Sequence, residues 1–462
     1  MNKLQLKKRI YSFLMSLLIV AIETGIASYI EVVYYNTQLP KAFYFWGHVF
    51  IAVVYAFILF IFSTMYGGLK IGSFRMIELM FSQVLATLVT NVIFYAIVTL
   101  LAYHFPSVIP LIVAMAAQCI LIGCWIFVAT YIHRFLFPPL DVLLVYEGNT
   151  KDIFVQKVKT RRHQFQINEA ILATDDYDLI TAAIDKHQAV MMWDVSAERR
   201  NVIFKYCYEH SVETYVMPKI MDIVLRGATP LHFFDTPLLL TKSSPLEVEQ
   251  LIFKRLFDIV ISLILIILTS PFMIITALFV KGYDGGSIIY KQKRLTLNNK
   301  EFYIYKFRSM REDAEKDGVA RLAQKSDDRV TPVGKLIRKI RFDELPQLFN
   351  VLSGSMSFVG PRPERPEIAE QYIEDMPEFT YRTKVKAGIT GYAQVYGKYN
   401  TLPYDKLKLD LYYIENYSLW LDIKLIILTV KILFKPDATE GVDSGSITAN
   451  DTLNTAKESE NK

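Results

Sequence analysis

LFDIVISLILIILTSPFMIITALFV, residues 256–280, is long and apolar enough to enter a bilayer, yet Ser270-Pro271 interrupts it. Positive charge stands on both sides, Lys254-Arg255 before the run and Lys281 after it. A crossing helix would carry one of those charged ends to the far side, against the usual retention of Lys and Arg on the cytosolic face. Proline removes a backbone donor and kinks a helix, and irregular backbone at membrane depth needs shelter. The stretch 251–281 therefore reads as a re-entrant hairpin that dips in and returns, broken at Ser270 and Pro271. The alternative is a kinked ordinary span, which would place everything after it outside the cell.

Upstream, four apolar stretches, Ile10 to Val33, Phe45 to Met65, Met76 to Tyr103 and Val108 to Ile132, each reach the ~20 residues that cross a bilayer. Lys3, Lys7, Lys8 and Arg9 precede the first, Lys70 and Arg75 lie between the second and third, and Arg134 follows the fourth, whereas the opposite loops carry only Lys41. Both ends of this bundle are thus expected on the cytosolic side of the membrane. Glu23 and Asn91 are the notable polar residues within it. An intramembrane carboxylate hints at function, but no second ionisable group accompanies Glu23 at mid-depth, so helix packing is its default role.

Residues 141–240 alternate β-branched runs with amphipathic ones: Val142 to Tyr146 then Asp152 to His163, Ala189 to Asp194 then Glu198 to His210, then Val212 to Pro218. That is the rhythm of a small parallel sheet. Its first strand-to-helix turn, Tyr146-Glu147-Gly148-Asn149-Thr150, lacks the glycine triplet that admits a pyrophosphate, so a structural or regulatory module is expected. The fold class is then a four-helix membrane bundle (1–134), a Rossmann-like α/β module (135–250), the hairpin, and a mixed α/β domain (282–435). That last domain ends in an interfacial helix from Leu419 to Phe434, and a polar tail, 436–462, is expected to be disordered.

The 462 residues are 52% apolar with a net charge of +5, and mean hydropathy is +0.25. So small an excess of positive charge gives no basis for a nucleic-acid partner. Three cysteines form neither a disulfide framework nor a zinc spacing. Residues 241–462 contain neither His nor Cys, which excludes histidine triads and thiol nucleophiles there.

What that half does contain is clustered charge. Lys291, Lys293 and Arg294 lead to Lys306-Phe307-Arg308-Ser309-Met310, and Lys335, Arg338, Lys339 and Arg341 follow. On a helix, Lys335, Arg338 and Lys339 share a face, and that face delivers Asp343-Glu344-Leu345-Pro346. Nearby arginines would keep both carboxylates ionised, one suited to act as a nucleophile on phosphorus, the other to meet Mg²⁺ together with substrate phosphates. The residues alone allow the two acids to exchange these roles. In Val359-Gly360-Pro361-Arg362-Pro363, two prolines fix an arginine whose fork suits a phosphate.

Together these segments resemble the bacterial sugar transferase family, the polyprenyl-phosphate hexose-1-phosphate transferases. The likeness covers Lys254 to Phe434: Lys254-Arg255-Leu256-Phe257-Asp258, Ser270-Pro271, Gln292 and Arg294, Lys306 to Met310, Asp343 to Leu348, Asn350-Val351-Leu352, Ser357 to Pro363, Gly388 to Gln394 and Asp410 to Tyr413. The resemblance implies that Asp343 attacks the β-phosphorus of a UDP-sugar, that UMP leaves, and that undecaprenyl phosphate then takes the sugar phosphate. It further implies Mg²⁺ at Asp343 and Glu344, phosphate contacts from Arg338, Arg362, Lys306 and Arg308, and nucleotide or sugar contacts from Gln292, Arg294 and Gln394. Glucose is the expected hexose, ahead of galactose and an N-acetylated sugar, and the product would begin capsule or exopolysaccharide synthesis. Membrane lipid is an implied partner, and a second copy of the chain is a further one the sequence permits. Arg341-Phe342 departs from the family's usual Ser-Leu, Ala387 stands where proline is common, and Leu295 to Lys300 lacks the usual glycines. A membrane scaffold or regulator, for which Asp343 would be dispensable, and a lipid-carrier transporter, which would need a polar intramembrane path, are the readings from other classes.

Overall fold

The computed structural model describes residues 3–148, 151–241, 244–311, 329–397 and 401–433; the expected disordered tail lies outside them. The chain divides into two compact units, Met1–Met217 and Pro218–Lys462.

The first unit opens with long apolar helices α1 (Lys3–Ile30), α2 (Phe45–Tyr66), α3 (Met76–Ala102) and α4 (Ile109–Leu136). With their low polarity, water cannot be the solvent of their outer faces; Phe50, Phe57, Val92, Ile112, Ile120 and Phe127 are all exposed. The polar residues are turned inward instead. Glu23 accepts hydrogen bonds from Gln83 (2.7 Å) and Thr87, while Tyr55 donates to Asn91 (2.7 Å) and Asn91 to Gln118 (2.8 Å). Each helix thereby offers a partner to its neighbours, which is how polar groups are tolerated in hydrocarbon.

The α/β part of this unit runs β1 (Leu140–Tyr146), α5 (Lys151–Lys159), β2 (Phe165–Leu172), α6 (Tyr177–Ile184), β3 (Ala189–Trp193), α7 (Ala197–Glu209) and β4 (Glu213–Val216), its strands forming one parallel sheet in the order β2-β1-β3-β4. The sequence rhythm misses β2 and α6. As an edge strand β2 pairs only with β1, so Gln166, Asn168 and Glu169 need not be apolar. In the first turn Gly148 takes φ +77°, and the Glu147 carboxylate accepts the Ser196 amide (2.7 Å) at the start of α7. The chain's own carboxylate thus uses a donor that a bound anion would need.

The second unit starts earlier than the expected boundary at 250. Helix α8 (Ile220–Arg226) and hairpin β5–β6 (Thr229–Phe233, Thr236–Leu240) precede helix α9 (Val248–Asp284), and Ile223 and Leu246 are buried in the same core as Val351, Phe358, Leu411 and Leu425. The remaining elements are β7 (Ile289–Leu295), β8 (Glu301–Phe307), α10 (Pro332–Lys339), α11 (Gln347–Ser353), β9 (Ser357–Val359), α12 (Pro366–Asp375), β10 (Gly388–Thr390), α13 (Tyr392–Tyr396), α14 (Pro403–Glu415) and α15 (Leu419–Leu433).

The expected break at Ser270-Pro271 does not interrupt α9, which continues as one helix for 37 residues. Pro271 lacks the amide that would bond the Ile267 carbonyl, and the Ser270 hydroxyl donates to that same oxygen (2.8 Å), with Thr269 bonded to Leu265 (2.7 Å) just before it. Among the described residues five helices are long and apolar enough to cross a membrane, the four of the bundle and α9.

Both ends of α9 rest on the core of the second unit. Near its start Lys254 pairs with Asp422 (2.7 Å), Arg255 donates to the Val351 and Leu352 carbonyls (2.7 and 2.8 Å), and Asp258 accepts the Phe358 amide (2.9 Å). Near its end Met273, Ala277 and Val280 pack with Phe307, Ile337 and Phe342. Between these anchors Leu263, Ile264, Ile267 and Leu268 are exposed. Helix α15 is more deeply seated than an interfacial helix need be: Asp422 and Lys431 turn inward, Leu425 and Leu428 are buried, and Trp420 and Leu433 face out.

Candidate active site

Helix α10 delivers the acidic pair. Thr331 caps it by accepting the Gly334 amide (2.9 Å), Pro332 occupies its first turn, and it ends at Lys339. Arg341 then adopts the left-handed region (φ +56°), which turns the chain sharply into a 3-10 turn, Phe342–Glu344. Phe342 anchors that turn against Phe272 of α9, with ring centres 5.9 Å apart.

Three segments converge on Glu344. Its Oε1 accepts from Lys306 Nζ (2.9 Å) on β8 and from Arg362 Nη2 (3.2 Å), and its Oε2 lies 3.8 Å from Arg341 Nη1. Burial alone would raise this carboxyl, but Lys306, Arg362 and Arg341 together hold it well below the usual carboxylate range. Asp343 behaves oppositely. Burial, then the Glu344 charge, push it up to about 6, and Lys306, Arg338 and Arg341 offset only part of that. The cations do not hold the two acids alike: they bond Glu344, whose negative charge adds to the burial of Asp343, and a carboxyl near 6 is still mainly ionised at neutral pH.

The arginine between prolines is immobilised through its backbone. Four successive carbonyls are bonded: Pro361 by the Gly388 amide (2.9 Å), Arg362 by Arg382 Nη2 (2.9 Å), Pro363 by Arg294 Nη1 (3.1 Å) and Glu364 by the Leu295 amide (3.0 Å). Gln292 accepts from Arg294 Nη2 (2.6 Å) and steers it. Behind the turn Arg382 pairs with Asp410 (2.7 Å) and Glu364 (3.3 Å), and Glu364 also pairs with Lys406. Burial of Glu364 is overcome by Lys406 and Arg382, which keep it ionised and well below its usual range.

Of the expected site residues, Lys306 and Arg362 contact Glu344, and Arg338 acts on Asp343 electrostatically. Gln292 and Arg294 hold the Arg362 turn rather than the acids. Arg308 is elsewhere: buried, it ion-pairs with Asp284 at the end of α9, and a side chain on Gly286 would collide with it. Gln394 donates to the Ile389 carbonyl (3.0 Å) within its own loop. Ser270 and Pro271 lie within α9, just before Phe272, which packs on Phe342 of the turn that carries the acids. Sequence reading missed the Glu364–Arg382–Asp410–Lys406 network. It also left Arg341 out of the site, although its place in the basic run was a usable signal.

Strands β7 and β8 present two faces. Gln292, Arg294 and Lys306 occupy one, and Ile289, Lys291, Tyr305 and Phe307 the other. The second face, together with Met273, Ile274, Ala277, Pro346 and Phe349, lines an open apolar groove of about 470 Å³. Pro346 places one wall of that groove two residues from Glu344.

Residues 249–436 match the family described as bacterial sugar transferase. The chain is 45% identical over 183 residues to the UDP-N-acetylgalactosamine-undecaprenyl-phosphate N-acetylgalactosaminephosphotransferase of Aeromonas hydrophila, a stretch covering 39% of this chain and 43% of that one. It is 35% identical over 295 residues to the UDP-glucose:undecaprenyl-phosphate glucose-1-phosphate transferase of Klebsiella pneumoniae, covering 63% and 61%. It is 41% identical over 182 residues to the uncharacterized sugar transferase EpsL of Bacillus subtilis, covering 39% of this chain and 87% of that one. The match spans about half the length of the first two relatives.

Proposed function

Because the chain belongs to the bacterial sugar transferase family, we propose that it transfers a hexose 1-phosphate from a UDP-sugar to undecaprenyl phosphate and releases UMP. The observation that supports this reading most is the pair of buried, adjacent carboxylates set among Lys306, Arg338, Arg341 and Arg362. Two acids amid four cations leave a positive excess suited to a diphosphate.

In this reading an oxygen of ionised Asp343 attacks the β-phosphorus of the donor, forming an acyl phosphate, as the bond to the bridging oxygen breaks and UMP departs with that electron pair. An oxygen of the acceptor phosphate then attacks the same phosphorus and returns Asp343 as carboxylate. Glu344, ionised throughout, holds Lys306 and Arg362 at the place where charge develops. Mg²⁺ is part of the proposal: two hard carboxylates beside phosphate-binding cations fit a cation that takes one or two acids and completes its shell with substrate phosphates. Bound by Asp343 and Glu344, it would neutralise charge on the departing phosphate.

The apolar groove beside Pro346 suits the isoprenoid chain of the acceptor, and in this reading α9, anchored at both ends on one domain, bends at Pro271 and so enters and leaves by the same face of the membrane. That face is the cytosolic one in this proposal, where UDP-sugars are found. UDP-glucose is the proposed donor, with a role at the first membrane step of capsule or exopolysaccharide synthesis. The test is UMP release by purified protein given undecaprenyl phosphate and a panel of UDP-glucose, UDP-galactose and their N-acetylated counterparts. Release by Asp343→Asn protein at the parent rate would refute the nucleophile.

A further inference from the structure

Three cations meet Glu344, and one is unlike the others. Lys306 and Arg362 share Oε1 at 2.9 and 3.2 Å, whereas Arg341 alone approaches Oε2, at 3.8 Å. Its side chain is 27% exposed, between Lys306 at 21% and Arg362 at 40%, so the long contact and not exposure sets it apart. Its backbone is also unusual: φ +56° and ψ +25° put Arg341 in the left-handed region, which a residue with a Cβ enters against a steric penalty and glycine enters freely. The turn alone would be better served by glycine or asparagine. Strained backbone carrying a charged side chain into a reactive cluster is a sign that the side chain has work there.

We infer that Arg341 is a phosphate-binding residue that exchanges Glu344 Oε2 for an oxygen pair of an incoming substrate phosphate. The guanidinium fork matches a phosphate through two parallel N–H donors, a geometry it does not achieve on Glu344 at 3.8 Å. Its departure leaves Glu344 Oε1 held by Lys306 and Arg362 and releases Oε2 to the substrate side. Phosphate arrival and exposure of that oxygen become one event. The inference rests on the phosphosugar-transfer reading of this site and adds to it the residue that receives a phosphate and the carboxylate oxygen set free.

Two phosphates could be the partner, that of the departing nucleotide and that of the lipid acceptor, and kinetics separates them. Arg341→Gly and Arg341→Asn delete the guanidinium while keeping a backbone suited to the turn, and Arg341→Lys keeps the charge without the fork. Full-length protein in lipid nanodiscs is assayed for KM of UDP-sugar, KM of undecaprenyl phosphate and inhibition by UMP. Loss of one charge-assisted phosphate contact weakens the relevant constant about tenfold to a hundredfold. Weakened UMP inhibition together with a raised donor KM assigns Arg341 to the nucleotide phosphate. A raised acceptor KM alone assigns it to the lipid phosphate. In either case Arg341→Lys recovers part of the loss.

The inference is overturned if Arg341→Gly and Arg341→Asn keep both KM values and UMP inhibition within about twofold of the parent, whether or not kcat falls. An unchanged pair of constants with reduced kcat would mean that Arg341 only shapes the turn. Asp343→Asn tells the two readings apart. If that variant releases no UMP while the arginine variants are kinetically silent, the site assignment stands and the exchange is wrong. If it releases UMP normally, the site assignment itself fails.

Discussion

Replacing Asp343 with Asn removes a proton site that folding has displaced. The carboxyl moves from its usual 3.8 to about 6, through burial first and the adjacent Glu344 charge second. The folded chain therefore holds this proton more tightly than the unfolded chain. Stability owed to it is complete below about pH 4 and is lost as pH rises through about 6. One pKa unit is worth about 1.4 kcal/mol, which makes the swing about 3 kcal/mol. Glu344, held low, stays ionised from pH 4.5 to 7.5 in the folded state and adds little to the slope in that window. The amide introduced by Asp343→Asn has no proton to lose, so the variant gains on the parent by about 2 kcal/mol between pH 4.5 and 7.5, the part of the swing that falls in that window, equivalent to about 4–8 °C in Tm for a unit of this size. The assay is thermal unfolding of both proteins in detergent, with EDTA to exclude divalent ions, at pH 4.5, 6 and 7.5. A gap in Tm that does not change with pH, or one that closes as pH rises, refutes the displaced carboxyl.

Lys306→Met takes the nearest cation from Glu344 and lowers the rate of UMP release about a hundredfold, with little change in Tm because the lysine is partly exposed; an unaltered rate would remove Lys306 from the site. Lys254→Met leaves Asp422 buried without its ion-pair partner and destabilises the chain by about 3–5 kcal/mol, whereas Lys254→Met with Asp422→Leu recovers most of that. Denaturation of both variants decides the point, and equal loss in the two would show that the pair is not the cause. Arg382→Gln releases the Arg362 carbonyl and leaves Glu364 and Asp410 facing each other with less compensation. It should reduce both Tm and UMP release, and retention of full activity would mean that the Arg362 turn needs no such anchor.

What could be read from the sequence was what is local in it. The basic run and the acidic pair are contiguous, from Lys335 to Glu344, so helical spacing sufficed to bring them together, and the flanking prolines marked Arg362. Strands β1, β3 and β4 announced themselves by β-branched runs, but β2 did not, because an edge position tolerates Gln166 and Glu169. The missing amide of Pro271 suggested a break, yet the remedy, the hydroxyl of Ser270, was one residue away and acts through a three-residue back-contact that hydropathy does not register. Arg308 looked equivalent to Lys306 by position, but β8 ends at Phe307, and beyond it Asp284 claims Arg308 at the end of α9. Least legible were Arg382, Glu364, Asp410 and Lys406, drawn from separate segments and acting mainly on one another and on backbone carbonyls.

The sequence left Asp343 and Glu344 interchangeable, and their surroundings distinguish them. Both are carboxylates, adjacent and buried, so their difference has to come from which neighbours reach which oxygen. Glu344 receives cations from β8, from the residue that turns the chain after α10 and from the Arg362 turn, and its Oε1 is committed to hydrogen bonds from Lys306 and Arg362. A carboxylate so engaged is weakly basic and a poor nucleophile, but it is a stable anchor for positive charge. Asp343 is the more basic of the two because burial disfavours its charge. Once ionised, a group of higher basicity gives its electron pair to phosphorus more readily, and entry of further positive charge with the substrate would favour that ionisation. The order of basicity therefore supports attack by Asp343 with Glu344 as the fixed anion. An exchange of roles would place the attack on the less basic acid, the one whose Oε1 holds Lys306 and Arg362, the cations needed to receive the phosphate.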